Sequence, residues 1–211
     1  MTVLTWDNSS ERLYEFGVDR GVFYPTTGAG KVWNGLISVE ESPSGGEVEP
    51  LYYDGVKYLD LLGGIDFQAT LNAYAAPQGF AAYEGRATLA PGLFAPNQPR
   101  LRFGFSYRTM IGNDTDGDSY GYKLHLVYNV LAVQQPRTNA SDAEAPVPVS
   151  LSYILDAVPP AATTYKPVAR LIVDSTKTNS TKLATLENLL YGTVSTNAAL
   201  PTQATVITTL T

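Results

Sequence analysis

Apolar and polar residues alternate with a period of two along much of this chain, a pattern that reads as half-buried β-strand. From Val32 to Glu40, Trp33, Gly35, Ile37 and Val39 point one way and Asn34, Leu36, Ser38 and Glu40 the other, with Leu36 breaking the polar row. Ile65 to Tyr74 alternates most cleanly: Ile65, Phe67, Ala69, Leu71 and Ala73 stand against Asp66, Gln68, Thr70, Asn72 and Tyr74. Arg102 to Met110 sets Phe103, Phe105, Tyr107 and Thr109 opposite Arg102, Gly104, Ser106 and Arg108. Tyr122 to Leu131 gathers Tyr122, Leu124, Leu126, Tyr128 and Val130 on one face. These last two runs, joined by a turn over Asn113 to Gly121, are expected to pair as a hairpin with their bulky faces on the same side. Tyr14 to Tyr24 is a further strand, and Gly17 and Gly21 inside it signal bulges or close backbone approach. Val56 to Leu62, Val149 to Ala157, Val168 to Val173 and a closing Thr-rich and Val-rich run, Thr202 to Leu210, complete the expected strands.

One segment carries helical spacing. Leu183, Leu186, Leu189 and Leu190 recur through Ser180 to Tyr191, with Asn179 as N-cap and Gly192 as terminator. Pro77 to Glu84 suits a single helical turn, Pro25 to Gly30 a turn, and Ala90 to Arg100, with its three prolines, a loop. Gln134 to Pro148 reads as a polar loop, and Trp6 as the anchor of an irregular N-terminal stretch. The pattern predicts a mainly β (α+β) fold in one domain, residues 1–211: two packed antiparallel sheets forming a β-sandwich or partial barrel with one flanking α-helix.

Between the strands ending at Glu40 and beginning at Val56 lies EESPSGGEVEPLYYD, with four glutamates, two prolines and paired glycines. These residues break strands and resist burial, so a long acidic loop is expected, well beyond the length of an ordinary hairpin connection. Tyr52 and Tyr53 favour an interface, because a tyrosine hydroxyl needs a partner; a mobile solvated loop is the plainer alternative.

Composition narrows the function classes. Charged residues are only 16% of the 211, tyrosine is frequent at 14, and cysteine is absent, which excludes disulfides, thiolate metal sites and cysteine nucleophiles. The net charge of −6 is uneven: residues 1–100 hold 12 acidic and 6 basic side chains, residues 101–211 hold 8 of each. A negative surface opposes phosphate binding, so sequence-reading of nucleic acid is not expected; the same charge suits a conduit through which DNA slides. The N-terminus shows no basic region followed by an apolar run, and no stretch reaches bilayer-spanning length.

Candidate chemistry is thin. Asp114-Thr-Asp116-Gly-Asp118 begins like a calcium loop, but Ser119 stands where glycine is required and His125 where a bidentate glutamate is required, so a β-turn is expected. Gly28-Ala-Gly30-Lys31 lacks the leading glycine of a phosphate loop and has Val32 in place of Ser/Thr. His125, the single histidine, lies on the polar side of its strand and is expected at a surface or interface. Glu40, Glu41, Glu47 and Glu49 lie in or beside a flexible loop with nothing to hold two carboxylates apart. No enzyme, no cofactor and no metal is expected.

The succession Trp6-Asp7, Glu11 to Glu15, Gly17 to Val22, Tyr24-Pro25, Trp33-Asn34-Gly35-Leu36, Glu41 to Gly45 and Lys57-Tyr58-Leu59 resembles the major tail proteins of long, non-contractile-tailed bacteriophages. Tyr107-Arg108-Thr109, Ile111 to Thr115, Gly121 to Tyr128 and Lys166 to Gly192 extend the resemblance over almost the whole chain. It implies the phage tail-tube fold and a structural virion protein whose hexameric rings stack into the tail tube that conducts DNA into the host. It also implies an N-terminal arm (about 1–13), a long inter-strand loop (about 41–54) that contacts the next ring, and a C-terminal arm (about 193–211). In that setting Glu41, Ser42, Pro43, Glu47, Glu49, Leu51, Tyr52 and Tyr53 form the inter-ring contact. Asn34, Ser38, Glu40, Asp66, Gln68, Thr70 and Asn72 are the candidate lumen face, because acidic and neutral polar groups let DNA pass without gripping it; the outer wall of the tube is the other placement for that face. Arg102 and Arg108 are poorer lumen candidates. The implied partners are further copies of the chain, a tape-measure protein, tail-terminator and distal tail or baseplate proteins, and double-stranded DNA in passage, with no membrane insertion. The implied place is the virion tail, built in the bacterial host cytoplasm. The alternative is a virion-attached β-sandwich that binds a carbohydrate receptor through exposed Trp or Tyr.

Overall fold

A computed structural model describes residues 3–141, 148–162 and 165–211. Thirteen strands and two helices follow in chain order among them. The first six strands are β1 (Tyr14–Tyr24), β2 (Lys31–Val32), β3 (Leu36–Glu41), β4 (Ser44–Gly45), β5 (Val48–Tyr53) and β6 (Val56–Leu62). Next come β7 (Ile65–Ala73), β8 (Ala87–Ala90), β9 (Leu93–Ala95), β10 (Phe103–Asn113), β11 (Gly117–Gln134), β12 (Leu151–Ala157) and β13 (Arg170–Asp174). The helices are α1 (Ser180–Tyr191) and α2 (Gln203–Leu210).

One antiparallel ladder runs β2-β1-β10-β11-β12-β7-β3, with β13 also paired to β11 and β4 to β7. The 18-residue β11 makes two layers possible. Its first half pairs with β13 through Lys123 to Val127, and its second half with β12 through Val130 to Gln134. The sheet folds over at this branch, so β12-β7-β3 packs across β1-β10-β11. Phe23, Trp33, Leu71, Phe80, Phe105, Tyr153 and Leu155 fill the space between, all at most 2% exposed. The expected β-sandwich or partial barrel is therefore the fold observed, and no ladder closes β2 onto β3.

A second core lies on the other side of β10-β11. Leu124, Leu126, Tyr128 and Val173 face Leu183, Leu186 and Leu190 of α1 and Val206 of α2. This corrects the expectation that β10 and β11 bury their bulky residues on the same side. In register, Ser106 stands beside Leu126 and Arg108 beside Leu124, so Phe105 and Tyr107 point into the sandwich while Leu124 and Leu126 point at the helices. A bulge around Asn129 (φ 51°) then returns Val130 to the sandwich core beside Val127.

The flank carries two helices where one was expected. α1 occupies the expected span, and the Asn179 side chain accepts hydrogen bonds from the Thr181 and Lys182 backbone N–H groups. The segment read as a closing strand, Thr202 to Leu210, is the helix α2, capped by the Thr202 side chain accepting from the Thr205 N–H. Its β-branched content misled the periodicity. Burial of Val206 against α1 and donation from Lys182 Nζ to the Leu210 and Thr211 carbonyls stabilise a helix that local preference disfavours.

Other expectations hold in outline. β1 has register shifts between Phe16 and Asp19 and between Asp19 and Val22, as its glycines signalled. The Asn113 to Gly117 turn is held by the Asn113 side chain, which accepts from the Thr115 and Asp116 N–H groups, and β11 starts at Gly117, four residues before the expected end of the turn. The helical turn within Pro77 to Glu84 is a short 3-10 segment, Phe80–Ala82. The expected proline-rich loop, Ala90 to Arg100, is partly strand: a small hairpin pairs β8, which ends at Ala90, with β9 inside the loop. Of the expected loop Gln134 to Pro148, positions 142–147 lie outside the described residues.

Candidate functional site

The stretch read as a long acidic loop is mostly sheet. β5 and β6 form a hairpin closed by Asp54-Gly55, with Tyr53 paired to Val56. Both turn residues have positive φ, 50° and 75°, the type I′ geometry for which Asp-Gly is a strong sequence signal. That dipeptide is in the sequence, but Pro50 and the glutamates nearby argue against a strand on its N-terminal side. Pro50 is tolerated because a two-stranded hairpin has only edges.

Every residue of β5 and β6 is exposed. Tyr52, Tyr53, Val56, Tyr58 and Leu62 are 66–76% exposed, and Leu51, Leu59 and Leu61 share one face in register. The hairpin joins the body through four glycines. The Gly46 N–H donates to Gly64 O and the Gly63 N–H to Glu47 O, and a Cβ on Gly45 would stand 2.4 Å from Gly64 O, so no side chain fits at Gly45. Ser42, Pro43, Glu47, Glu49, Leu51, Tyr52 and Tyr53 are thus exposed on or beside the hairpin.

Glu41 is the exception among the expected loop residues. β3 has a bulge at Ile37, which puts Leu36, Val39 and Glu41 in register with Ala73, Leu71 and Ala69, the inward row of β7. This also reverses the expected phase of Leu36, which packs on the core, and of Ile37, which is exposed. The Glu41 carboxylate accepts a 2.5 Å hydrogen bond from the Tyr107 hydroxyl and pairs with Arg170. His125 stacks flat on Tyr107, centroids 4.5 Å apart, with Nε2 3.0 Å from Thr109 Oγ1 and Nδ1 facing Glu41 at 3.6 Å. His125 is therefore buried, against the expected surface position, because the β3-β7 layer covers that side of β11. Burial holds its pKa down to about 4 against the pull of Glu41, so it is neutral at pH 7. For Glu41, desolvation raises the pKa but the Tyr107 hydrogen bond and the Arg170 charge outweigh it, and the net shift is downward. The cluster ties β3, at the foot of the hairpin, to β10 and β13 in the opposite layer.

The polar row expected along β7 exists as one face. Asn72 Nδ2 donates to Ser38 Oγ at 3.0 Å and to Glu40 Oε1 at 3.3 Å. Gln68, Thr70 and Asn72 stand in register with Asp156, Ile154 and Ser152 of β12, which extend the face. Asp66 lies at the hairpin end of the row, beside Ser44. Asn34 is not part of the row: it sits in the turn between β2 and β3. Arg108 is removed from any such surface, held in a bidentate pair by Asp19 (2.7 and 2.5 Å) and stacked over Tyr122.

Trp33 is buried, its Nε1 donating to Ala75 O, so it is not available to stack on a sugar. Trp6 is 80% exposed, so it is not the anchor expected among the described residues. Among the described residues, no group of three or more His, Asp and Glu is placed to hold a metal ion, and no helix is long and apolar enough to cross a membrane.

No protein-family model matches the chain, and no curated protein matches it. Among solved structures, the chain is similar to a component of the anti-feeding prophage baseplate, determined with sixfold symmetry, at 10% identity and TM-score 0.40, covering 82% of this chain and 99% of the other. It is similar to a component of that particle's tube-terminating cap at 13% identity and TM-score 0.34, covering 83% and 97%. A third likeness, at 15% identity and TM-score 0.30, is to the sheath-tube complex of an extracellular contractile injection system in its extended state, covering 67% and 89%. Scores this low leave the description of the fold to the ladders above.

Proposed function

We propose that this chain is a structural subunit of a phage-like tail, which closes into hexameric rings that stack as a tube. The observation that carries the reading is the β5-β6 hairpin. An isolated two-stranded hairpin is marginal in water, and this one projects its tyrosines and leucines into solvent without a covering layer. A contiguous apolar, tyrosine-rich projection of this kind is stabilised by burial against another copy. The resemblance in sequence to tail tube proteins supports taking that other copy as the subunit of the next ring. The polar face of β3, β7 and β12, bearing Glu40, Asp66 and Asp156 without a lysine or arginine on those strands, then suits the lumen. Ring closure would also cover the free edges at β2 and β3.

Electron microscopy of the purified chain, at low and moderate salt and with the tape-measure protein added, tests the reading. Rings or hollow tubes of uniform diameter are expected. Monodisperse small particles under all of these conditions would overturn it.

A further inference from the structure

The two ends of β7 differ in charge. At its Ile65 end the hairpin emerges, carrying Glu47, Glu49, Asp54 and Asp60 against a single Lys57. Lys57 is already paired with Asp60 at 2.6 Å, which leaves Glu47 and Glu49 at the base without a cation among the described residues. At the Ala73 end is an open cleft of about 520 Å³ lined by Arg86, Arg100 and Arg137, with Gln134 and Gln135. The Gln135 N–H donates to Ser152 O, and Ser152 is in register with Asn72, which fixes the cleft at that end. The nine residues of β7 place the two ends about 26 Å apart, at roughly 3.3 Å per residue.

The cleft is a concentration of cation in a chain that has little. Three of its 14 basic residues converge there. Among the described residues its one carboxylate, Glu84, is buried and already accepts from Tyr153 and Arg86. Arg100 forms no ion pair among the described residues, and Arg137 only donates to Asn139 at 3.0 Å. The close approach of Gly85 to Gln98 and Arg100 joins two of the guanidinium-bearing segments, and the Tyr153 hydroxyl on Glu84, with Tyr153 in register with Gln134, brings the third beside them.

We propose that this cleft is the receptor for the hairpin of a second copy, with Glu47 and Glu49 docked on Arg100 and Arg137. The inference rests on the assembly reading above and gives it a direction. An acidic projection at one end and a basic cleft at the other make a heterologous, head-to-tail contact, and such a contact propagates along an axis rather than closing as a dimer. Like ends repel, so the same charges reject inverted stacking.

The test is charge reversal in the full chain. Glu47→Arg with Glu49→Arg, and separately Arg100→Glu with Arg137→Glu, should each lower the stacked fraction by about tenfold at low salt, while the four changes combined restore it to within about twofold of the unmodified chain. Unchanged stacking in the arginine variant, or no recovery in the combined one, overturns the proposal. Because the chain has no cysteine, Glu49→Cys mixed with Arg100→Cys gives a second measure that does not require charge reversal to be tolerated. Oxidation should give disulfide-linked dimers of one variant with the other. Absence of these links while the unmodified chain still stacks overturns the docking site alone; absence of both links and stacking overturns the assembly reading with it. Asp142 and Glu144 follow Arg137 in sequence, and a preferred link within one chain between Glu144→Cys and Arg100→Cys would assign the cleft to that segment instead. Duplex DNA retained through Arg100 and Arg137, with stacking unaffected by their reversal, would assign it to phosphate.

Discussion

The hairpin β5-β6 and the strand pair β3-β7 are built from similar material and meet opposite fates. Both carry aliphatic residues at alternate positions, both contain acidic side chains, and they are joined through the same four glycines. β7 buries Ala69, Leu71 and Ala73 under the opposite layer, while the hairpin buries none of its residues. The carboxylates differ in partners. Glu41, still partly open to solvent, joins a hydrogen-bonded cluster with Tyr107 and Arg170, and Glu47, six residues on, has no side-chain partner among the described residues. Burial in this chain is therefore decided by what lies across from a strand, and the hairpin's apolar residues have no layer across from them among the described residues.

The sharpest way to break the comparison is to remove the hairpin. Linking Gly46 directly to Gly63 should abolish stacking outright in electron micrographs, yet change the subunit's unfolding free energy by less than about 1 kcal/mol, because the hairpin contributes nothing to either core. A large loss of subunit stability in urea would show that the hairpin packs on its own body. Next in size is a pair of equivalent truncations. Leu71→Ala should cost about 3 kcal/mol in urea unfolding, from lost burial plus a cavity, whereas Leu61→Ala should cost under about 0.5 kcal/mol in the free subunit and show its effect only in assembly.

The cluster at the root gives a pH signature. His125, neutral in the fold with a pKa near 4, is protonated more readily in the unfolded chain, where the value is about 6.5. Stability that is fully present above about pH 6.5 is therefore lost as the pH falls towards 4, by on the order of 3 kcal/mol. Glu41, with its folded pKa depressed, adds a further loss at lower pH as its carboxylate is protonated. His125→Gln should flatten the dependence of the urea midpoint between pH 6.5 and 4; an unchanged slope would place the titrating group elsewhere. Glu41→Gln should cost about 2 kcal/mol at pH 7, since it leaves the Arg170 charge half-buried without its partner, and should loosen β3 in amide exchange. The smallest effect is expected at the cap: Asn179→Ala should cost about 1 kcal/mol, with the loss confined to α1.

Local chemistry made much of this chain legible. The α1 helix is written in four leucines, a capping asparagine and a terminating glycine, all within one stretch, so no tertiary knowledge is needed to place it. The alternation in β7 and the bulges in β1 are equally local. The Asp54-Gly55 turn is also local, but Pro50 and the glutamates beside it are strand-breaking signals that mask it in the sequence. The polar row along β7 was readable as a row, and its neighbours Ser152 and Asp156 were not, because nothing in either segment says that β12 pairs there.

What the sequence determined by itself is the period of each strand, the α1 helix and the class of fold, because these follow from residues within a few positions of one another. Only the tertiary structure decided which face of each strand is inside. β11 is covered on one side by the β3-β7-β12 layer and on the other by α1 and α2, so its alternation marks two cores rather than a core and a surface. The same covering turned Thr202 to Leu210 from an expected strand into a docked helix, buried His125 and brought the Glu41 carboxylate onto Tyr107 and Arg170. It also gathered Arg86, Arg100 and Arg137, up to 51 positions apart, at the end of the sandwich opposite the acidic hairpin. Contacts between residues far apart in sequence depend on how the layers fold over one another, and that is fixed by the packing of the whole core rather than by any one segment.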